Sequence, residues 1–583
     1  MPNKASSLVV VNEPLHHTVQ TYLRTLYPDH DPTELAHKVL KVMRLEKTHQ
    51  APRPHQNHWT EKDCVLISYG DSIIERNRKP LATLLDFVQQ HLGNNVSVVH
   101  LLPYFPYTSD DGFAVLDYYQ VNDSLGDWQD IEAFGNHYRL MSDLVINHCS
   151  SRSGWFNNFR QGLSPGKDYF IEIDSDWDLS KVIRPRTNAL SQTYRCNDGE
   201  RQVWCTFSRD QVDFNFANPE VLLEFISIIR FYLDKQTSVF RLDAIAFLWK
   251  TPGTNCLNLT NTHRIIRLLR LLIEHANPAA WVITETNIPN RENLSYFGNA
   301  NEAHGIYNFA LPPLLLHTLL SQDCSHLRNW SMSMPPAQNG TFFLNFIASH
   351  DGIGLRPVEH IFSATEVDEL IETVQQSGGL VSWRNLTQDQ VKPYEINVSL
   401  FDALARTHHS EDSYQRKRFL CAHTIMLSLE GIPAIYIHSF LGTQNDYDKV
   451  QHSNHNRSIN RHRWQLSRLQ SLLQHKEAHH GDILAQINAL ISIRRQQSAF
   501  HPNATQFTLQ LGNHVFGVWR QSIDRKQSIF CVSNVTSKPQ RLSLSELNLI
   551  ETNLWHDLLS QQDLNADNGV INLAPYQSLW LSN

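Results

Sequence analysis

The sequence has no long apolar run and no surplus of positive charge. No stretch of about 18 apolar residues occurs, and the first residues, MPNKASSLVVVNEP, lack the sustained apolar segment of a secretory signal. Lysine and arginine number 50 and aspartate and glutamate 58, which gives a net charge of −8. A chain of this charge lacks the basic surface that attracts nucleic acid or anionic membranes. We therefore expect a soluble, cytoplasmic protein with no nucleic-acid or membrane partner.

Cysteine is sparse and scattered, and cofactor motifs are missing. None of the eight cysteines forms a CxxC pair, so no zinc site is predicted and the thiols are expected to be reduced and buried. The sequence contains no nicotinamide, flavin or nucleotide fingerprint and no dedicated oxygen-rich loop for calcium. We predict no cofactor and no metal ligands, while a structural calcium stays an open alternative.

Apolar residues, by contrast, are abundant. Of the 583 residues, 41% are hydrophobic, and 13 Trp, 27 Phe and 18 Tyr supply large side chains for a substantial core. Short apolar runs alternate with helical segments, a rhythm typical of a parallel sheet. Seven such runs favour a closed (β/α)8 TIM barrel. They cover residues 65–69, 96–102, 139–147, 238–245, 281–286, 341–350 and 432–438.

Segments that break this rhythm divide the chain into domains. Residues 1–60 are predicted to form an N-terminal helical extension. Two polar stretches, 149–212 and 355–412, are too long for simple loops and predict inserted subdomains B and B′. Alternating apolar runs over 501–583 predict a C-terminal all-β domain. The barrel is assigned to the remaining residues, 61–148, 213–354 and 413–500. Two roles of the extension stay open, covering a face of the barrel or forming the contact of a homodimer.

Three predicted strands end in a carboxylate, the position of catalytic groups in barrels of this kind. The two-residue period of a strand places Arg241 and Asp243 together on the inner face of the barrel. Glu285 ends a second strand, and Asp351 follows His350 at the end of a third. One such acid alone is expected to cap the next helix. Three around one cavity favour glycoside chemistry with retention, which needs an ionised nucleophile and a protonated acid.

The surroundings of these acids predict their roles. Asp243, beside the cation of Arg241, is the predicted ionised nucleophile. Glu285, on an apolar strand, is the predicted proton donor, because burial favours the neutral carboxyl. Asp351 is predicted to stabilise the cationic sugar ring of the transition state.

Four segments resemble the signature segments of the α-amylase superfamily of glycoside hydrolases, family 13. They are LVINH at 144–148, FRLDA at 240–244, ITETN at 283–287 and ASHDG at 348–352. Further segments resemble the sucrose phosphorylase subgroup of that superfamily. These segments begin at Asp110, Val182, Cys205, His350, Pro393 and Arg457. The resemblance covers most of residues 60–583 and implies the barrel fold with its inserted subdomains.

The resemblance also implies a role for individual residues. Asp243 corresponds to the nucleophile, Glu285 to the acid/base and Asp351 to the transition-state stabiliser. Substrate-binding roles carry over to Asp110, Phe113, His148, Phe207, Gln211, Arg241, His350 and Arg457. Phosphate-binding or acceptor-binding roles carry over to Arg186, Tyr394 and Arg384. The plainer alternatives are core packing for Phe207 and solvent-exposed positions for Arg186 and Arg384.

The implied activity is phosphorolysis of an α-glucoside with retention, so the expected partners are a small sugar and inorganic phosphate. The leading expectation is a sucrose phosphorylase, which forms α-glucose 1-phosphate and fructose through a covalent glucosyl-enzyme. Residues 377–384 and 393–397 are at least as similar to glucosylglycerate phosphorylases, which are the alternative. An α-glucosidase or transglucosidase and a non-catalytic sugar-binding barrel complete the alternatives. Pro185 replaces a basic residue of relatives that act on sucrose 6′-phosphate, which argues against a phosphorylated acceptor.

Overall fold

A closed barrel of eight parallel strands forms the centre of the molecule. The computed structural model describes residues 13–47, 51–385, 391–547, 555–564 and 569–582. The barrel strands pair in chain order and close between the first and the last, which confirms the predicted (β/α)8 fold. They are β1 Val65–Ser68, β2 Val98–Leu101, β3 Arg139–Leu144, β4 Thr237–Leu242, β5 Trp281–Thr284, β6 Gly305–Tyr307, β7 Phe342–Asn345 and β8 Ile432–Tyr436.

Strand β6 has no counterpart among the predicted apolar runs. It is only three residues long and begins with glycine, so it carries little hydrophobic signal. The glycine is required by packing, since a Cβ on Gly305 would lie 2.6 Å from the ring of Phe342 on β7. Six of the other strands lie within the predicted runs, and β4 begins one residue before its run, at Thr237.

Helices follow the strands and cover the outside of the barrel. Pro80–His91 and Thr260–Ala276 show the pattern clearly, each burying one apolar face against the sheet. The longer helices of this layer are Pro80–His91, Trp128–His137, Pro219–Asp234, Thr260–Ala276, Leu311–Ser321, Ser325–Ser333, Gln415–Ser428, Leu466–Gln474 and His479–Arg494. A shorter helix, Asn290–Leu294, follows β5.

Two long insertions follow β3 and β7. The first contains the helix Gly154–Gln161 and two antiparallel strand pairs, Ser191–Cys196 with Gly199–Trp204 and His148–Ser150 with Gln211–Asp213. The second contains the helix Ala364–Gln376, the hairpin Leu380–Asn385 with Val391–Asn397, and the strand Ile353–Gly354 paired to it. Because both begin at the carboxyl ends of barrel strands, they surround the face where barrel active sites lie.

The N-terminal helices pack on the outer helix layer. Glu13–Leu26 contacts the helix Thr260–Ala276, and Pro32–Val42 contacts Pro219–Asp234. Asp31 caps the second helix, and its apolar face is buried through Leu35, Ala36, Val39 and Leu40. The Tyr27 hydroxyl donates to the Phe216 carbonyl at 3.1 Å. The extension therefore packs on the helices that precede and follow β4.

A small β domain follows the barrel. Its main sheet has the strands Thr505–Thr508, Val515–Gln521, Ser528–Asn534, Trp555–Asp557, Gln562–Leu564 and Ser578–Ser582, and Gln540–Ser543 pairs with Val570–Leu573. The buried Arg520 donates to the Ser428 carbonyl at 2.9 Å and so ties this domain to the barrel. Parts of the predicted extension (1–12, 48–50), of B′ (386–390) and of the β domain (548–554, 565–568, 583) lie outside the described residues.

All eight cysteines are buried and free. Among the described residues, none of the helices combines the length and the apolar character needed to cross a membrane.

Candidate active site

The three predicted catalytic carboxylates line one cavity at the carboxyl ends of the barrel strands. Asp243 directly follows β4, Glu285 directly follows β5, and Asp351 follows β7. Twelve of the fourteen predicted site residues line this cavity. They are Asp110, Phe113, His148, Arg186, Phe207, Gln211, Asp243, Glu285, His350, Asp351, Tyr394 and Arg457. Of the other two, Arg241 lies behind the carboxylates and Arg384 lies elsewhere.

Arg241 holds the nucleophile candidate from inside the barrel. Its Nη1 donates to Asp143 Oδ1 and, at 2.8 Å, to Asp243 Oδ1, while its Nη2 lies 3.9 Å from Glu285 Oε2. His100 Nε2 lies 2.8 Å from the other oxygen of Asp143. Burial alone would lower the pKa of Arg241, but these carboxylates raise it well above its ordinary value, so the guanidinium stays charged.

Asp143 and His100 were not predicted from the sequence. Both side chains are completely buried on apolar strands, β3 and β2. The sequence signal for both is a polar residue at an inward position of a barrel strand. Because buried charges in proteins are paired, such a residue indicates a charged partner inside the barrel. Asp143 therefore fixes the position of Arg241 rather than reaching the cavity.

Asp243 and Glu285 share one cation, and their protonation states follow from it. Burial raises the pKa of both carboxyls, and like charges raise them further, that of Glu285 acting on Asp243 and that of Asp351 acting on Glu285. Asp243 has the direct hydrogen bond from Arg241, whereas Glu285 accepts at 3.0 Å from the backbone N–H of Ala244. The hydrogen bond from a cation favours the negative charge on Asp243, and the neutral backbone donor at Glu285 leaves that carboxyl as the better place for the proton.

Asp351 is kept ionised by arginine. Burial would raise its pKa, but Arg457, assisted by Arg461 and Arg241, holds the pKa well below its usual range. Arg457 Nη1 donates to Asp351 Oδ1 at 2.5 Å. Its Nε and Nη2 donate to the two oxygens of Glu395 at 2.9 and 2.6 Å, a bidentate pair. Glu395 lines the cavity and was not predicted as a site residue, although it lies within residues 393–397, which resemble a segment of the related phosphorylases.

Polar groups and aromatic rings lie side by side at one end of the cavity, around Asp110 and His148. Gln211 Nε2 lies 3.4 Å from Asp110 Oδ2 and 3.2 Å from His148 Nε2. The rings of Phe113 and His350 are stacked, with centroids 5.1 Å apart. Burial lowers the pKa of both histidines, so neutral imidazoles face the cavity. Apolar ring faces beside several donors and acceptors suit a pyranose.

Arg461 fixes the loop that carries Asp110 and Asp111 at this end of the cavity. Asp110 and Asp111 both have left-handed backbone conformations, with φ of 54° and 46°. Arg461 Nη1 donates to Asp111 Oδ2 at 2.8 Å, and its Nε donates to the His350 carbonyl at 2.8 Å. Arg461 therefore joins the loop after β2 to the loop after β7, which carries Asp351.

Arg186 and Tyr394 are neighbours on the cavity wall. The guanidinium carbon of Arg186 is 5.5 Å from the centre of the Tyr394 ring. Within the described part of the chain, Arg186 forms no ion pair, in contrast to Arg457 and Arg461. Its charge is therefore available to an anionic ligand.

Arg384 does not contribute to the cavity. It was expected to contact the acceptor, but its guanidinium forms an ion pair with Glu359 inside the second insertion. The side chain is 7% exposed and is absent from the cavity wall. The register of the hairpin places the Arg384 side chain beside Glu359 and not on the cavity wall. No pattern in the sequence indicates this placement.

The carboxylates of the site are bound by arginine and lysine, not arranged for a metal. In the ranges that the structure describes, no group of three His, Cys, Asp or Glu side chains is placed to hold a metal ion. Beside the cavity, Lys250 Nζ donates to Asn147 Oδ1 at 2.7 Å and pairs with Asp213 Oδ2 at 2.7 Å. These oxygens are satisfied by an ammonium group and do not fit a calcium ion.

Comparisons with known proteins agree with this geometry. The family profile of the α-amylase catalytic domain matches residues 81–351. A glucosylglycerate phosphorylase of Escherichia coli K12 is 40% identical over 544 residues, which are 93% of this chain and 95% of that protein. A sucrose phosphorylase of Streptococcus mutans is 28% identical and covers 75% of this chain and 88% of its own length.

A solved structure shows the same fold. The sucrose 6F-phosphate phosphorylase from Thermoanaerobacter thermosaccharolyticum superposes with a TM-score of 0.71 at 23% identity, over 82% of this chain and 94% of that one.

Replacing Glu395 by Gln tests how Arg457 is positioned. The change removes one of the two carboxylates that hold the guanidinium, so Arg457 should shift toward Asp351 and leave the sugar-binding end. We expect kcat/KM for fluoride release from α-glucosyl fluoride to fall about tenfold or more, with the larger part in KM. The control is Glu411→Gln, which removes an exposed partner of Arg406. Equal activity of both variants would contradict this role.

Proposed function

The chain belongs to the α-amylase family, and we propose that within it the protein acts as a glucosylglycerate phosphorylase of retaining mechanism. The observation that carries the proposal is the 40% identity to such an enzyme over almost the whole chain. Sucrose, the donor expected first from the sequence, is less supported than glucosylglycerate, because the sucrose phosphorylase of Streptococcus mutans is only 28% identical to this chain. The reaction class is the same for both.

The first half-reaction transfers the glucosyl group to the enzyme. An Asp243 oxygen attacks the anomeric carbon while Glu285 donates its proton to the glycosidic oxygen, so glycerate leaves and a glucosyl ester forms on Asp243. This step needs an ionised Asp243. Arg241 favours that state because its Nη1 donates a hydrogen bond to Asp243, whereas its Nη2 lies 3.9 Å from Glu285 Oε2. Asp351, held ionised by Arg457, stabilises the positive charge that develops on the ring.

The second half-reaction transfers the glucosyl group to phosphate. Glu285, now ionised, takes a proton from phosphate, whose oxygen attacks the anomeric carbon and displaces Asp243. The product is α-glucose 1-phosphate, and two inversions give net retention. A phosphate at this position needs a cation on the acceptor side, and the unpaired guanidinium of Arg186 beside Tyr394 supplies one.

Phosphate-dependent formation of α-glucose 1-phosphate is the first test. With glucosylglycerate as donor, we expect release that saturates with phosphate. Sucrose, assayed in parallel under the same conditions, is expected to give a kcat/KM lower by about tenfold or more, since its neutral fructose group lacks the carboxylate that a site for glycerate pairs with. The Glu285→Gln variant is the matched control and should lose phosphorolysis from both donors.

Two results of this assay would overturn the proposal. Faster release from sucrose would make the protein a sucrose phosphorylase with the same catalytic residues. Glucose formation that does not depend on phosphate would make it a glucosidase.

Arg186 is predicted to decide between phosphorolysis and hydrolysis. In Arg186→Gln, KM for phosphate should rise about tenfold or more, because a guanidinium contact to a dianion is lost. Hydrolysis of α-glucosyl fluoride without phosphate should stay within about threefold of the wild-type rate. Arg184→Gln is the matched control, since Arg184 lies in the same loop but not on the cavity wall. An equal rise in both variants would refute a phosphate contact by Arg186.

A further inference from the structure

A carboxylate beside the cavity accepts hydrogen bonds from four hydroxyl groups and has no role in the mechanism described above. This residue, Asp210, directly precedes Gln211, which lines the cavity, but is not itself part of the cavity wall. The four donors are the hydroxyls of Thr108, Ser109, Ser150 and Ser151.

These donors belong to two separate segments of the chain. The Thr108 and Ser109 hydroxyls, in the loop after β2, donate to Asp210 Oδ2 at 2.5 and 2.6 Å. The Ser150 and Ser151 hydroxyls, at the start of the first insertion, donate to Oδ1 at 3.4 and 2.8 Å. A carboxylate suits such a set, because its two oxygens offer about four acceptor positions. Asp210 therefore joins the loop after β2 to the first insertion.

The loop after β2 carries Asp110, whose own side chain is weakly held. Its Oδ1 has no hydrogen-bond partner among the described residues, and Arg461 Nη1 lies 3.9 Å away. Its Oδ2 accepts from Gln211 Nε2 at the long distance of 3.4 Å. Asp110 and Asp111 both have left-handed backbones, which non-glycine residues keep only when surrounding contacts hold them. The position of the Asp110 carboxylate thus depends on what fixes the backbone.

Two side-chain contacts flank this left-handed pair in the chain. Arg461 donates to Asp111, the second residue of the pair. Asp210 accepts from Ser109, the residue immediately before the pair. Gln211, which follows Asp210, presents a second polar group to the same end of the cavity. One carboxylate therefore fixes two segments that carry groups of the cavity wall.

We propose that Asp210 is a positioning residue for the end of the cavity around Asp110 and His148, where the proposed mechanism places the glucosyl ring. It holds Ser109 and precedes Gln211, and so it sets how the two polar side chains of this end are spaced. The inference rests on the proposed function only in placing a glucosyl ring here, which glucosylglycerate and sucrose share. Asp210 should therefore control binding of the glucoside and not of phosphate.

The two half-reactions of an Asp210→Ala variant test this assignment. For fluoride release from α-glucosyl fluoride, kcat/KM should fall about tenfold or more, because this constant includes binding of the ring. The inhibition constant of glucose should rise by a similar factor. With saturating α-glucosyl fluoride, kcat/KM for phosphate should stay within about threefold of wild type, because this half-reaction starts with the ring already attached to Asp243.

Two further variants provide the comparison. Asp210→Asn keeps the shape and one acceptor oxygen, so it should lose less than Asp210→Ala. Asp178→Ala is the matched control, since Asp178 also accepts from a hydroxyl of the first insertion, Ser180 Oγ at 2.6 Å, but is exposed and does not adjoin the cavity wall. It should behave as the wild type in all three constants.

A double variant keeps the test independent of folding. If Asp210→Ala lowers Tm strongly, Ser109→Ala, which removes a single donor, replaces it and should weaken glucose binding in the same direction. Because Ser109 and Asp210 act through one hydrogen bond, the losses of Ser109→Ala and Asp210→Asn should not add in the double variant.

The possible results are distinguishable. An equal fall of kcat/KM for α-glucosyl fluoride and for phosphate would mean a general structural role, and additive losses in the double variant would mean that Ser109 and Asp210 act separately. Unchanged binding of glucose would remove Asp210 from the glucosyl end. Each of these overturns the inference and leaves the proposed function intact. If the wild-type protein itself releases no fluoride from α-glucosyl fluoride, the proposed function fails instead.

Discussion

The hydrogen bonds of Arg241 with two carboxylates, Asp143 and Asp243, are the interaction on which the site depends. They place a positive charge beside carboxyls whose pKa burial raises. Because the guanidinium contacts Asp243 directly and lies 3.9 Å from Glu285, it favours the negative charge on Asp243, as the proposed roles of nucleophile and proton donor require. The strand β4 supplies both Arg241 and Asp243 from one face, so the barrel geometry itself sets their contact.

Two further arginines extend this charge pairing around the sugar. Arg457 joins Asp351 to Glu395 of the second insertion, and Arg461 joins Asp111 to the loop after β7. The insertions are thereby held against the barrel by ion pairs that line or adjoin the cavity. Arg186, beside Tyr394 on the cavity wall, differs from these arginines because it forms no ion pair among the described residues. That part of the wall therefore carries an uncompensated positive charge, which suits an anionic ligand.

Much of the fold and of the candidate site could be predicted from the sequence, because both depend largely on patterns of residues close together in the chain. Strand parity placed Arg241 and Asp243 on one face, and strand ends located Glu285 and Asp351. Strand β6 was not predicted, because its three residues begin with Gly305 and are too few to form a recognisable apolar run. Contacts between distant parts of the chain were harder to predict. The ion pair of Glu395 with Arg457 spans 62 residues, and that of Arg384 with Glu359 depends on the register of a hairpin. Acceptor identity depends on such contacts, which is why sucrose and glucosylglycerate could not be separated from motifs alone.

The most direct test of the account is to trap the glucosyl-enzyme. The Glu285→Gln variant, given α-glucosyl fluoride, should accumulate the intermediate, because fluoride leaves without protonation while the second step lacks its base. Mass spectrometry of the digested protein should find one glucosyl group on the peptide containing Asp243. A glucosyl group on a different residue, or normal turnover by an Asp243→Ala variant, would contradict the assignment of Asp243 as nucleophile and with it the retaining mechanism.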